Sequence, residues 1–421
     1  MWQVYNLIIH IGVSLLKVAA IFNRKLDHFL RSRRSAPPLS NGPINKPTLL
    51  VHCASLGEYE MAVPVLADPR IRDQFYTVVS FFSPSGYEYA RIDSIADAKC
   101  YLPFDSTRKL TSFLNELQPA AVVFVRYDLW FNLIRICAKR DIPVLMINAL
   151  FQRGRWPFTG LGRIFLKTLK SIHHFTVQND ESAHTLYRNG IPNNHVTVAP
   201  DLRFDRVWER CQSVETGGDL LRRLITGKPT IIAGSSWPDE EGFLAGIWAS
   251  LGSSANLVLV PHDVSEPHIH QLMEQFKAFD PQRWTANHDT VSSVLIVDQI
   301  GLLARLYAQA DVAVVGGAFG KGLHNILEAA TFGLPILTGP NIQRFPEAMG
   351  LKKVGALHVF SNEDELQKEL ISLIEDATLR QSSGNKARNY VQERTGSKAQ
   401  TVQIILDTLS ITPDSSNQSK S

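Results

Sequence analysis

Short strand-like runs, most of them largely apolar, recur along this chain, each followed by residues with helical spacing. They sit near 48–53, 76–81, 120–126, 143–148 and 173–177, and again near 229–233, 256–260, 293–297, 311–316 and 335–338. Apolar side chains without alternation mark strands buried on both faces. Helical patterns lie between them, as at 106–116 and 129–139. Strand, helix, strand in that rhythm predicts parallel sheets built from βαβ units. The rhythm breaks once, across 206–228, where "ETGGD" and "TGKP" punctuate a polar stretch. A chain of 421 residues also exceeds what one core ordinarily serves. The reading is therefore α/β, with two Rossmann-like domains facing a cleft, at 48–205 and 229–409. A long helical pattern at 380–408 closes the second domain, and a tail at 410–421 is expected to be disordered. Ligands of such sheets bind at the carboxyl ends of the strands, so residues just past each strand are the ones to examine.

Composition excludes several classes. The net charge of +3 gives no argument for nucleic acid. Cys53, Cys100, Cys137 and Cys211 form no C-x-x-C pair, and the 13 histidines show no metal-binding spacing. No metal site and no disulfide framework is expected, and a reducing compartment fits. The first 22 residues, "MWQVYNLIIHIGVSLLKVAAIF", are another matter. Gln3, Asn6, His10, Ser14 and Lys17 recur at helical spacing on one face, and apolar residues fill a wide arc around them. Arg24, Lys25, Arg31, Arg33 and Arg34 follow. No positive charge precedes the apolar part and no small-residue cleavage site follows, which argues against a signal peptide. Residues 1–34 read as a membrane-associated amphipathic helix with a cytoplasmic basic flank, lying in the interface rather than spanning. The alternative is a helix packed on the protein's own surface. "SAPPLSNGPINKP" at 35–47 reads as a linker.

Several strand ends carry chemistry. In "VHCASLGEYE" (51–60), Ser55 and Glu58 have the S-x-x-E spacing of a helix capping box. A cap explains Glu58 on that stretch alone, while its place after the first strand also makes it a candidate base. "VVGGAFGKGLHNILEAA" (314–330) is a glycine-rich turn that fits neither a Walker A loop nor a strict G-x-G-x-x-G. A helix is expected to start near Leu323 or His324, offering a phosphate its N-terminus and placing His324 and Glu328 on one face. Glu328 then suits a pair of ribose hydroxyls; the plainer reading is a tight turn and a solvated Glu. Gly234, Ser235 and Ser236 end the first strand of the second domain, where hydroxyls cap a helix or hold phosphate. Asp239, Glu240 and Glu241 complement the helix dipole. His262 and Asp263 end another strand, where a lone His is more often structural. In the first domain Arg126 and Asp128 follow one strand, and Arg153 and Arg155 the next. Arginines there suit an anionic acceptor, against a structural ion pair and a solvated basic loop.

Taken in order, "ASLGEYE", "YLPFD" (101–105), "DLWFN" (128–132), "INA" (147–149), "LRFD" (202–205), "GSSWPDEE" and "VGGAFGKGLHNILEAATFGLPILTGP" resemble the 3-deoxy-D-manno-octulosonic acid (Kdo) transferases over roughly residues 1–350. The resemblance implies a GT-B fold, no catalytic metal and no cofactor. It implies inverting transfer of Kdo from CMP-Kdo to a lipid A precursor at the cytoplasmic face of the inner membrane. It puts the general base on Glu58. It puts nucleotide contacts on Ser235, Ser236, Gly316, Gly317, His324, Asn325 and Glu328, with His262 and Lys321 as further candidates; Arg126, Asp128, Arg153 and Arg155 are the acceptor candidates. The chain departs from the family pattern at Arg126, often acidic there, at Phe131, commonly proline, at the Pro261-His262-Asp263 segment, and at Ala329. Two other readings stay open: a GT-B enzyme using a UDP-sugar, and a catalytically inactive nucleotide-binding envelope protein.

Overall fold

The computed structural model describes residues 2–36, 46–214, 224, 227–286 and 292–410. Most of the 35–47 linker, part of the 206–228 linker and nearly all of the 410–421 tail lie outside the described residues. Contacts divide the chain into two compact units, one of residues 1–206 with 395–421 and one of 207–394.

The first unit holds a seven-stranded, all-parallel sheet. Its strands are β1 (Thr48–Cys53), β2 (Tyr76–Phe81), β3 (Ala98–Tyr101), β4 (Ala121–Val125), β5 (Val144–Ala149), β6 (His174–Val177) and β7 (Val196–Val198). Their order is β3-β2-β1-β4-β5-β6-β7. Residue alternation splits the apolar side chains between two cores. Leu50, Val122, Phe124 and Met146 enter one, and Leu49, Val51, Val123, Val125 and Leu145 the other. The chain leaves β1 toward β2 and returns to place β4 on the other flank. The carboxyl ends of β1 and β4 therefore form the switch point where such sheets bind ligands.

The second unit repeats the plan with β8 (Thr230–Ser236), β9 (Asn256–Pro261), β10 (Gln282–Arg283), β11 (Val294–Ile296), β12 (Val312–Val315), β13 (Ile336–Thr338) and β14 (Leu357–Val359). The order is β10-β11-β9-β8-β12-β13-β14. Here β8 and β12 flank the switch point, with Gly234 opposite Val315.

Three details depart from the sequence reading. β3, β7, β10 and β14 are not among the apolar runs, because they are two to four residues long and carry polar members. The pattern at 380–408 is two helices, Ala377–Gln392 and Ser397–Ser410, parted at Gly396 with φ +104°. The second of them packs Val402 and Ile405 into the core of the first unit, so residues placed in the second domain up to 409 cross back at 395. Asp205 receives this crossing through the Gly396 N–H at 2.8 Å.

The N-terminal region is a hairpin rather than one helix and a loose basic flank. α1 (Trp2–Phe22) ends where Asn23 caps α2 (Arg24–Ser35), its side chain accepting from the Lys25 and Leu26 amides at 3.0 and 3.3 Å. α1 meets the first unit through Trp2, Tyr5 and Asn6. Tyr5 donates to Asp105 at 2.7 Å, and Asn6 accepts from Thr107 N–H and Asn132 at 3.1 and 3.2 Å. The polar face thus supplies an anchor to the protein, while Val4, Leu7, Ile8, Ile11, Leu15, Val18, Ile21 and Phe22 stay exposed, Phe22 at 85%. By length and composition α1 can cross a membrane. It is not covered as a helix packed on the protein's own surface would be.

Candidate active site

In the first unit, β1 delivers the chain through Ala54 and Ser55 into α3 (Leu56–Leu66), and Glu58 stands in its first turn. The exit loop is tied to that of β2, because Ala54 O accepts from Phe82 and Ser83 N–H at 3.3 and 2.9 Å. The expected capping box does not form. Ser55 is the N-cap residue, but its hydroxyl caps no amide; it donates to Glu58 Oε2. Glu58 is half-buried, and no protein donor among the described residues reaches its Oε1. One oxygen is oriented and the other is open, the arrangement a general base needs.

Arg126 and Asp128 leave β4, next to β1. Arg126 takes a left-handed backbone at φ +68°, uncommon for a residue with a side chain. Its amide is fixed by Ile147 O at 2.8 Å, and its buried Nε has no partner among the described residues. Asp128 Oδ2 accepts from buried His52 Nε2 and from Trp130 Nε1, both at 2.9 Å. Burial pushes this carboxyl up, but the bonds and charge of His52 and the Trp130 bond outweigh it and hold it below the usual range. Asp128 is therefore first a brace beneath the loop. Of the two loop arginines only Arg155 lines a cavity of about 310 Å³, with Tyr127, Leu129, Phe151, Gln152 and Trp156. Arg153 is exposed and stands apart from it.

Other family-like motifs are scaffolding. Asp105 of "YLPFD" accepts the Asn132 and Leu133 amides at 3.2 Å, closing the start of the helix Phe131–Lys139, and burial raises its carboxyl to about 6. Asn148 of "INA", at φ +56°, donates to Asp201 at 3.1 Å and accepts the Leu202 amide at 3.0 Å.

In the second unit, β8 and β12 end side by side. Ser235 adopts φ +50°, and Gly316 packs so closely that a Cβ would lie 2.3 Å from Ser235 O. Gly317, at φ +97°, leaves equally little room, since a Cβ there would lie 2.3 Å from Gly322 O. Glu240 locks the two ends together. It is fully buried and accepts the Gly317 amide at 2.9 Å and the Trp237 amide at 3.1 Å. Burial raises its carboxyl, opposed by those amides. Glu241 is buried too, and takes the Ser236 hydroxyl at 2.8 Å and His268 at 3.2 Å. Neither residue is a surface complement to the helix dipole as the sequence suggested. Only Asp239 remains exposed.

Trp237, which sequence reasoning passed over, organises an aromatic stack. His262 lies against its face at 4.5 Å and 19°, and its indole N–H donates to His324 Nε2 at 3.0 Å. That bond places the His324 proton on Nδ1. Burial and the charge of His262 push the His324 imidazole below its ordinary range. Lys321 sits 5.4 Å above the Trp237 ring. The helix after the turn starts at Leu327, not near Leu323, and runs five residues to Thr331. His324 and Glu328 therefore share no helix face, and the Leu327 amide that opens the helix is taken by Asn325 Oδ1 at 3.1 Å. What the turn offers is backbone. Among the described residues, the N–H groups of Lys321, Leu323 and Asn325 donate to no backbone carbonyl. Glu328 is buried and ion-paired with Arg210 at 3.0 Å, rather than solvated.

Comparison with known proteins bears on this arrangement. Residues 28–206 match the family model described as 3-deoxy-D-manno-octulosonic-acid transferase (kdotransferase), and residues 281–390 match that of glycosyl transferases group 1. The 3-deoxy-D-manno-octulosonic acid transferase of Haemophilus influenzae is 27% identical over 382 residues, 86% of each chain. That of Aquifex aeolicus is 26% identical over 335 residues, 78% of this chain and 86% of its own. Among solved structures, the UDP-GlcNAc 2-epimerase of Neisseria meningitidis bound to UDP-GlcNAc aligns with TM-score 0.57 at 15% identity, over 86% of this chain and 99% of its own. At that identity the likeness speaks for the paired Rossmann-like, GT-B-type fold alone. Family models on both units and relatives along most of the length agree: the chain is a glycosyltransferase, similar over most of its length to the Kdo transferases.

Proposed function

We propose that the protein transfers Kdo from CMP-Kdo to a lipid A precursor, with inversion at the anomeric carbon, as a step of lipopolysaccharide assembly. The observation that carries this reading is Glu58, held at one oxygen by Ser55 and open at the other. A sugar hydroxyl is a weak nucleophile until a positioned carboxylate takes its proton as it attacks. As the new C–O bond forms, the bond from the anomeric carbon to the CMP phosphate breaks, and the electron pair leaves with phosphate. The second unit supplies what that charge needs: the open amides of Lys321, Leu323 and Asn325, the Lys321 ammonium and the His324 Nδ1–H. Ser235, Ser236, Gly316 and Gly317 shape the loops, with His262 stacked beside them; Glu328 and Asn325 complete the nucleotide contacts. No step of this reading requires a metal.

On the acceptor side, Arg155 beside Tyr127 and Trp156 suits a phosphorylated sugar, the aromatic faces taking the ring and the guanidinium the phosphate. Arg126, Asp128 and Arg153 border that region in sequence, and Arg126 brings an unpartnered donor. The outward apolar arc of α1 belongs in a membrane interface, on the cytoplasmic side of the inner membrane. A thermal-shift comparison of CMP with UMP and UDP, followed by product analysis with CMP-Kdo made in situ, tests the donor. Stabilisation by CMP and a Kdo-bearing product are expected. Stabilisation by UDP without CMP would replace this reading with a UDP-sugar enzyme.

A further inference from the structure

A cavity of about 320 Å³ opens between α1, α2 and the segment that leaves β3. Val13 and Leu30 form an apolar wall, Phe104 a further side, and Lys17, Arg34 and Lys109 bring ammonium and guanidinium groups to it. The Phe104 ring lies 4.8 Å from the Arg33 guanidinium and 5.8 Å from the Lys109 ammonium, so two cations share one ring. Arg33 is itself structural. It donates to Phe82 O at 2.8 Å and to Leu102 O, within a cage of Phe29, Phe82 and Tyr101. Nearby carboxylates are engaged elsewhere: Asp27 with Arg31, Glu88 with His28 and Ser32, and buried Asp105 with Tyr5 and two amides. Among the described residues, Lys17, Arg34 and Lys109 have no carboxylate within salt-bridge distance. Lys17, Arg34 and Lys109 are solvent-exposed at the cavity's rim, where like charges without a counter-ion repel and an anion relieves the repulsion.

We propose that this cavity binds the phosphate headgroup of a bilayer phospholipid, with Lys17, Arg34 and Lys109 as its counter-charges and the acyl chains along the apolar arc of α1. The arc selects a lipid over a soluble phosphate. Lys17, on the cavity wall, lies between exposed Leu15 and Val18 on the same helix. A headgroup in the cavity therefore has its chains delivered to side chains that nothing else covers. Such a site does more than attract the protein to a charged surface. It fixes the rotation of α1 on the bilayer, and with it the approach of the first unit, because Tyr5 and Asn6 tie α1 to Asp105 and Asn132. The proposal rests on the reading that α1 meets a membrane.

Flotation of the full chain with phosphatidylcholine vesicles, with and without phosphatidylglycerol, tests both. The Arg34→Ala/Lys109→Ala protein is compared with Lys139→Ala/Arg140→Ala, two exposed charges removed elsewhere on the same unit. Each cation in contact with an anionic surface contributes about fivefold in affinity, so the cavity variant should lose roughly twenty-five-fold of the preference for anionic vesicles. It should keep its binding to neutral vesicles and its melting temperature. The vesicles contain no acceptor, so binding to them points to the bilayer's own lipid. A cavity variant that loses no more than the control overturns the pocket and leaves the membrane reading intact. Wild type that binds neither vesicle overturns the membrane reading. Release from anionic vesicles by millimolar glycerol 3-phosphate but not by equal ionic strength would make a soluble phosphate the ligand and overturn the lipid.

Discussion

Replacing Glu240 by Gln separates two accounts of one residue. If the carboxylate only complements a helix dipole at the surface, the loss is below about 1 kcal/mol. In the structure it is 0% exposed and accepts two amides, Gly317 at 2.9 Å and Trp237 at 3.1 Å, one on each oxygen. Glutamine keeps one acceptor and turns an NH2 group toward the other amide. One hydrogen bond to a charged acceptor is lost, about 1.5–3 kcal/mol, and a buried donor is left facing a donor, about 1–3 kcal/mol. Removing a buried charge returns part of this. A net loss of about 2–4 kcal/mol follows, or roughly 5–15 °C in melting temperature for a unit of this size. The same substitution loosens the Gly317 turn, so CMP affinity should fall at least about tenfold. Calorimetric unfolding and titration with CMP measure the two effects. A shift under about 2 °C with unchanged CMP affinity would refute the clamp.

Other outcomes follow from the same contacts. Burial raises Asp105 to about 6, so its favourable contribution is full below the unfolded value near 4 and is lost as pH rises through 6. Wild type should therefore lose up to about 3 kcal/mol between pH 4 and 7 relative to Asp105→Asn, read by denaturant unfolding at each pH. Gly317→Ala forces a side chain into φ +97° and against Gly322 O, costing at least about 2 kcal/mol and abolishing measurable CMP binding in a thermal-shift assay. His262→Gln removes a charge that depresses His324, so the His324 titration followed by NMR should move up toward its ordinary value.

The sheets were legible because their central strands are buried on both faces and carry almost no polar residue. β3 (Ala98–Tyr101) and β14 (Leu357–Val359) were not, since a Lys or His on a short edge strand erases the signal. "SLGE" matched a capping box by spacing, yet spacing does not say which way a hydroxyl donates, and Ser55 donates to Glu58. "PDEE" read as a solvated charge run, because burial of Glu240 and Glu241 depends on β12 and on the helix Glu266–Gln275, distant in sequence. Asn6 belongs to the polar stripe by its spacing, and only tertiary contacts to Thr107 and Asn132 turn that stripe inward at its first turn. Trp237 gave no signal beyond a bulky residue at a helix start. Its role comes from two histidines, 25 and 87 residues away along the chain, that the sheet brings to one place.

The reaction proposed here turns on Glu58 taking the acceptor's proton. Transfer is measured with purified protein, CMP-Kdo made in situ and a tetra-acyl bisphosphorylated lipid A precursor, comparing wild type with Glu58→Gln and Glu58→Ala. With Glu58 as the base, wild type gives a Kdo-bearing product, and the rate falls about a hundredfold or more in both variants at unchanged melting temperature. Variants that lose stability but keep most of the rate would contradict that role and leave Glu58 a structural residue of the α3 start.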